Sequence, residues 1–132
     1  MTMLPTRTIS VSIACPPARV YDFIRDARTL PRWATAFCKS VVPDGGNWIV
    51  FTLQGPLGLR FVEPNAFGVL DHYIRLTPDF ELYVPLRVVP NYAGSEVIFT
   101  LFRLPDIADE QFAADAALVQ DDLNNLKRLL EA

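Results

Sequence analysis

Between Arg7 and Ala14 apolar and polar residues alternate: Ile9, Val11 and Ile13 fall on one face, Thr8, Ser10 and Ser12 on the other. That is the pattern of a half-buried strand. Pro16-Pro17 ends it, and proline suits the first turn of a helix. Val20, Phe23, Ile24 and Ala27 then recur at helical spacing, and a second short helix is expected from Thr29, with Pro31 in its first turn and Leu30 and Trp33 as apolar contacts. Turn signals follow at Pro43-Asp44-Gly45-Gly46, Gly55-Pro56-Leu57-Gly58, Pro64-Asn65, Pro78-Asp79 and Asn91-Tyr92-Ala93-Gly94. They divide the region from Phe37 to Leu104 into about six strands, and short connections make the sheet antiparallel. No GxGxxG, P-loop or strand-helix alternation is present, which argues against a doubly wound nucleotide fold.

From Asp109 onward, Phe112, Ala116, Val119, Leu123, Leu126 and Leu130 repeat at steps of four and three. This predicts an amphipathic helix of roughly 22 residues, about 33 Å long, capped by Asp106 or Asp109. Ala113, Ala114, Ala116 and Ala117 crowd its first half and leucines its second. Small side chains opposite a concave sheet leave space; large ones close it. Asp121-Asp122 lies off the apolar stripe and reads as a solvated face, and Asp106, Asp109 and Glu110 suit the helix dipole without a metal.

At 132 residues the chain fits one domain, 1–132, large enough for its own core. Its 51% hydrophobic residues against 20% charged either fill a large core or line a cavity. A net charge of −3 gives no basic face for nucleic acid. Cys15 and Cys38 show no CxxC spacing; they offer one disulfide or, as preferred in a reducing cytosol, two buried thiols. Met1 to Thr6 carries no signal-peptide pattern, and no apolar run nears the ~20 residues of a membrane span. A cytoplasmic protein is expected, with neither cofactor nor metal.

The element order, the passage Ile9 to Pro17, the run Val20-Tyr21-Asp22-Phe23-Ile24-Arg25-Asp26 and then Leu30-Pro31-Arg32-Trp33 resemble the opening of polyketide cyclase/dehydrase-like members of the START-like, or SRPBCC, superfamily. The resemblance spans nearly the whole chain. It implies an α+β helix-grip fold: a curved antiparallel sheet of about seven strands around a long C-terminal helix, with two short helices after the first strand. It also implies an internal cavity. The superfamily holds lipid and hormone carriers, polyketide aromatases/cyclases and a co-chaperone branch, so the resemblance does not choose among them.

Hairpin geometry proposes which residues face such a cavity. A two-residue turn at Pro78-Asp79 pairs Thr77 with Phe80, which sets Ile74 opposite Tyr83, His72 opposite Pro85 and Leu70 opposite Arg87; opposed residues share a face. Extended through the neighbouring turns, this gathers Trp48, Phe61, Glu63, His72, Tyr83, Arg87 and Phe102 as ligand-binding candidates. Val50, Thr52, Leu70, Ile74 and Ile98 join them on the concave side. Arg60, Asp71, Tyr73, Arg75 and Arg103 take the convex side, with Arg60 opposite Asp71 as an ion pair. Leu82, Val84, Leu86, Phe99 and Leu101 also fall on the convex side, either as an oligomer surface or because a bulge swaps the faces.

His72 and Arg87 are the catalytic candidates, as a proton-transfer group and a carbonyl clamp. Each has a plainer reading. His72, the sole histidine, has no company for zinc and serves equally well as a packed structural residue. Arg87 suits a salt bridge to Glu63, Glu63 a solvated rim before Pro64, and Trp48 and Tyr83 ordinary core aromatics. The leading expectation is a protein that binds a hydrophobic or aromatic small molecule, lipid- or polyketide-like. A cyclase/dehydratase-type enzyme is the alternative and a protein-interaction module the third; a homodimer would use the exposed apolar strands.

Overall fold

Residues 2–132 are described by a computed structural model. Strand β1 (Thr6–Ile13) buries Ile9, Val11 and Ile13 and exposes the residues between them. Pro17 starts helix α1 (Pro17–Arg25), which buries Val20 and Ile24. A 3-10 turn (Ala27–Thr29) leads into the single-turn helix α2 (Leu30–Trp33). Asp26 ties that turn by accepting from the Arg28 backbone N–H at 3.1 Å, and the Thr29 hydroxyl donates back to the Phe23 carbonyl at 2.8 Å.

Seven strands follow: β2 (Ser40–Asp44), β3 (Asn47–Thr52), β4 (Gly55–Phe61), β5 (His72–Thr77), β6 (Phe80–Val84), β7 (Leu86–Asn91) and β8 (Gly94–Phe102). All pairings are antiparallel, in two sheets of order β2-β3-β4-β5-β6 and β1-β8-β7. The region holds seven strands where turn signals predict about six, because Pro85 splits one apolar run. Proline has no N–H for the ladder. β6 stays with β5 while β7 goes over to β8. The expected turn at Gly55–Gly58 lies inside β4 instead; the chain reverses at Leu53-Gln54, where Thr52 pairs with Gly55.

The two sheets meet in a seam. The Leu70 N–H donates to the Leu86 carbonyl and the Val88 N–H to the Gly68 carbonyl, at 2.8 and 2.9 Å. Val69, not Leu70, stands opposite Arg87. Gly68 has φ +73°, and a Cβ there would sit 2.0 Å from the Val88 carbonyl oxygen; only glycine admits this approach. Asp71 closes the seam from the outer side. Its carboxylate accepts from the Leu86 N–H (2.9 Å), the Tyr83 hydroxyl (2.6 Å), and Arg87 Nε and Nη2 (2.9 and 2.8 Å).

Helix α3 (Asp109–Glu131) lies across the sheet, burying Ala116, Asp122, Leu123, Leu126 and Leu130. Leu123 and Leu126 are fully buried, each stabilising the fold by about 1.5–3 kcal/mol. Two expectations for this helix need correction. Ala113, Ala114 and Ala117 face solvent, so only Ala116 of the four alanines meets the core. The N-cap is Ala108, without a side-chain bond, while Asp109 pairs with Arg103. Cys15 and Cys38 are buried free thiols. Burial pushes the Cys38 thiol up to about 11, which keeps it protonated and unreactive.

The Asp71 clamp has a measurable signature. Burial alone would raise its pKa, but Arg87, Tyr83 and the Leu86 N–H outweigh that and hold it at about 2, below the ordinary 3.8. A carboxylate held down in this way contributes stability that is present above pH ~4 and is lost as pH falls through ~2, here roughly 2 kcal/mol. Denaturant titrations between about pH 4 and pH 2 should show wild-type losing this increment. Asp71→Asn should be less stable than wild-type by about 3 kcal/mol at neutral pH, with the gap narrowing as acid is added. A gap independent of pH would show that the carboxylate does not carry the seam.

Candidate functional site

Between the inner face of the sheet and α3 lies a cavity of about 610 Å³. Strands β4, β5, β6 and β8 form its floor, and α3 with the α1–α2 segment forms its roof. Leu59, Ile74, Leu82, Val84, Phe99 and Leu101 supply apolar walls; Gln54, Leu76, Gln111 and Asp115 also contribute to the lining.

Which strand residues reach it turns on one bulge. Thr77 pairs with Phe80 as expected, but Arg75 then pairs with Glu81, leaving Leu76 without a partner. An extra residue on one side of a hairpin shifts every later pair by one and so exchanges the faces of the second strand. Ile74 therefore opposes Leu82 and His72 opposes Val84. Leu82, Val84, Leu86, Phe99 and Leu101, expected on the convex side, are cavity walls.

The expected ligand-binding set divides accordingly. Phe61 and His72 line the cavity, paired across β4 and β5 with ring centroids 5.5 Å apart. Trp48 opposes Leu59 on the same inner face and packs on the core, outside the lining. Tyr83 and Arg87 point outward, held by Asp71, and Phe102 joins Tyr83 there at 6.3 Å between ring centroids. Arg87 has no access to the cavity; it edges a shallow outer groove with Phe67, Val89 and Ile98. Glu63 is exposed in the loop after β4 and makes no salt bridge to Arg87, whose partner is Asp71. Arg60 does not pair with Asp71 either: it opposes Tyr73, lies over that ring at 4.3 Å, and bonds Glu81 at 3.0 Å.

Besides Gln54, Gln111 and Asp115, three lining residues carry polar groups among the apolar walls. His72 Nδ1 lies 3.0 Å from the Leu70 carbonyl. A carbonyl only accepts, so Nδ1 carries the proton and Nε2 keeps a lone pair. Burial lowers the His72 pKa below its ordinary value, against the opposing pull of the Leu70 carbonyl and of Asp71, and the ring is neutral at pH 7. Across the cavity, Asp122 is 7% exposed, and its Oδ1 accepts from the Ala36 N–H at 3.1 Å. Burial raises its pKa to about 6; the Ala36 bond and Lys39 oppose that rise, while Asp121 adds to it. The third group, Trp33 Nε1–H, is buried without a hydrogen-bond partner.

Asp122 is the residue that pattern reading missed. It sits one position before Leu123 and three after Val119, on the border of the apolar stripe, and its neighbour Asp121 is exposed. A wider stripe, as helices facing a broad sheet require, would have included it. The strand residues 82, 84 and 86 carried their own signal, since an alternation of large apolar side chains fixes a register better than a turn count does. No group of three or more potential metal ligands occurs among the described residues, and no described helix is long and apolar enough to cross a membrane.

The sequence profile of the family described as polyketide cyclase / dehydrase and lipid transport matches residues 6–131. No curated protein matches the chain. Among solved structures, XoxI of Bacillus cereus has a TM-score of 0.76 at 18% identity, over 96% of each chain. The Aha1 dimer of Colwellia psychrerythraea gives 0.78 at 13% identity over 97% of each chain. A START superfamily protein of Mycobacterium smegmatis gives 0.73 at 11%, covering 96% of this chain and 97% of that one. At such identities these likenesses concern the fold alone. With the profile spanning nearly its whole length, the chain belongs to the polyketide cyclase / dehydrase and lipid transport family, within the START-like SRPBCC superfamily.

Proposed function

We propose that this protein binds a hydrophobic or aromatic small molecule, lipid- or polyketide-like, between the sheet and α3. The cavity carries the reading. Its volume of about 610 Å³ lies in the range of roughly 300–1,000 Å³ common for small-molecule sites, and a mostly apolar lining with a few convergent polar groups is the usual form of one. Phe61 and His72 are the contacts retained from the candidate set, joined by Leu82, Phe99 and Asp122. The co-chaperone-like reading loses its motive, because the apolar strand face behind it is the cavity wall.

Cyclase/dehydratase chemistry is the second reading. It is favoured by His72 Nε2, a neutral acceptor with no protein partner opposite a carboxyl that titrates near 6, a pairing suited to moving a proton on and off an enolisable ligand. A homodimer is a further reading, supported by exposed Phe67 and Val89 on the outer face and by the dimeric state of the Colwellia protein.

An apolar fluorescent probe should bind with one-to-one stoichiometry and raise the melting temperature. Leu82→Trp, which fills the space from the β6 wall, should abolish probe binding while circular dichroism stays native. A folded wild-type protein that takes up no probe would remove the binding reading. For the enzymatic reading, a polyketone should turn over with wild-type and not with folded His72→Ala; equal turnover would exclude His72.

Asp122 also predicts a stability profile. Its pKa is raised from 3.8 to about 6, so the folded state holds a proton that the unfolded chain has released. The stability contributed by this group is therefore greatest below pH ~4 and is lost as pH rises through ~6, by roughly 3 kcal/mol. Asp122→Asn keeps an acceptor for the Ala36 N–H and removes the charge, and it should be more stable than wild-type by about 1–3 kcal/mol at neutral pH, with no gain at pH 4. Loss of stability at both pH values would mark Asp122 as a structural link instead.

A further inference from the structure

We infer that the cavity selects ligands presenting a hydrogen-bond donor such as a hydroxyl group to Asp122, at the junction of α2 and α3, and that it rejects carboxylates. This rests on the binding reading above and names the ligand chemistry it requires.

Three hydrogen bonds stitch α3 to the segment leaving α2: Asn125 Nδ2 donates to the Trp33 carbonyl at 3.2 Å and to the Thr35 hydroxyl oxygen at 3.3 Å, and Asp122 Oδ1 accepts from the Ala36 N–H at 3.1 Å. They bring Asp122 and Trp33 to one end of the cavity, whose lining includes both. Asp122 spends Oδ1 on the backbone, and its second oxygen has no protein partner. A ligand hydroxyl donates to that oxygen. A ligand carboxylate would face an anion and has nothing to donate.

No lysine or arginine is among the lining residues. The titratable groups around Asp122 are Asp115 and Asp121 on α3, Lys39 beyond the Ala36 contact, and His72, which is neutral, on β5 across the cavity. Asp115 accepts from Gln111 at 2.7 Å. Lys39 is committed to the Thr35 carbonyl at 2.8 Å and lies outside the lining, so no cation is in place for an anionic head group. His72 Nε2 adds a second acceptor. The carboxyl of Asp122 titrates near pH 6, and below that pH the objection to an anion disappears.

The test compares 2-naphthol, 2-naphthoate and 2-methylnaphthalene, which share one ring system, by calorimetry at about pH 7.5 and about pH 5. At the higher pH, wild-type should bind naphthol at least ~10-fold tighter than the other two, the worth of one well-made hydrogen bond. Asp122→Asn should shrink the naphthol-to-naphthoate ratio to within ~3-fold and leave methylnaphthalene unchanged. Acid should strengthen naphthoate binding to wild-type and leave it unchanged in Asp122→Asn. Equal binding of the three compounds, or a ratio indifferent to Asp122→Asn, would overturn the inference while sparing the binding reading. If none binds to the folded protein, both fall.

Discussion

Between Arg75 and Thr77 the β5–β6 hairpin carries one residue more on its first strand than on its second, and the side chains delivered to the cavity depend on that insertion. Side chains in a strand alternate with period two. With Leu76 unpaired, 72 and 74 share a face with 82, 84 and 86, while 71, 73 and 75 share the other with 81, 83 and 87. The inner face then becomes continuously apolar apart from His72, and the outer face collects Arg60, Tyr73, Glu81, Tyr83, Asp71 and Arg87 into one bonded layer. Without the insertion, Arg87 and Tyr83 would be driven into the core and three large apolar side chains into water.

The seam at Pro85 completes this constraint. Proline interrupts the ladder, β7 leaves β6 for β8, and the freed Leu86 N–H goes to Asp71. A buried carboxylate is tolerable there because every bond it accepts comes from the strands it must hold. The chain changes sheets at this point, and α3 lies over the hollow above the inner face.

Much of the architecture was legible in the residues. The alternation of Ile9, Val11 and Ile13, the Pro16-Pro17 passage and the Phe112-to-Leu130 stripe name their elements because each rests on periodicity over many residues. The site was less legible, because it depends on parity, and parity is set by events that leave little trace. Leu76 bears no mark of a bulge, Pro85 reads as one more strand residue, and Gly55–Gly58 resembles a turn while serving as a strand. Phe61 and His72 lie on the expected inner face since they precede the bulge; Tyr83 and Arg87 lie on the opposite face from that expected since they follow it. Asp122 was hidden by a helical stripe drawn too narrow.

The parity of β5 to β7 has one more consequence. The residues that hold the sheets together and those that touch the hollow occupy alternate positions of the same strands, so each set can change without displacing the other. A descendant chain could exchange Leu82, Val84 or Phe99 for other shapes and acquire a new guest while keeping Asp71, Tyr83 and Arg87. Such separability lets a scaffold change its lining while its outline persists, and that outline recurs in solved structures at 11–18% identity.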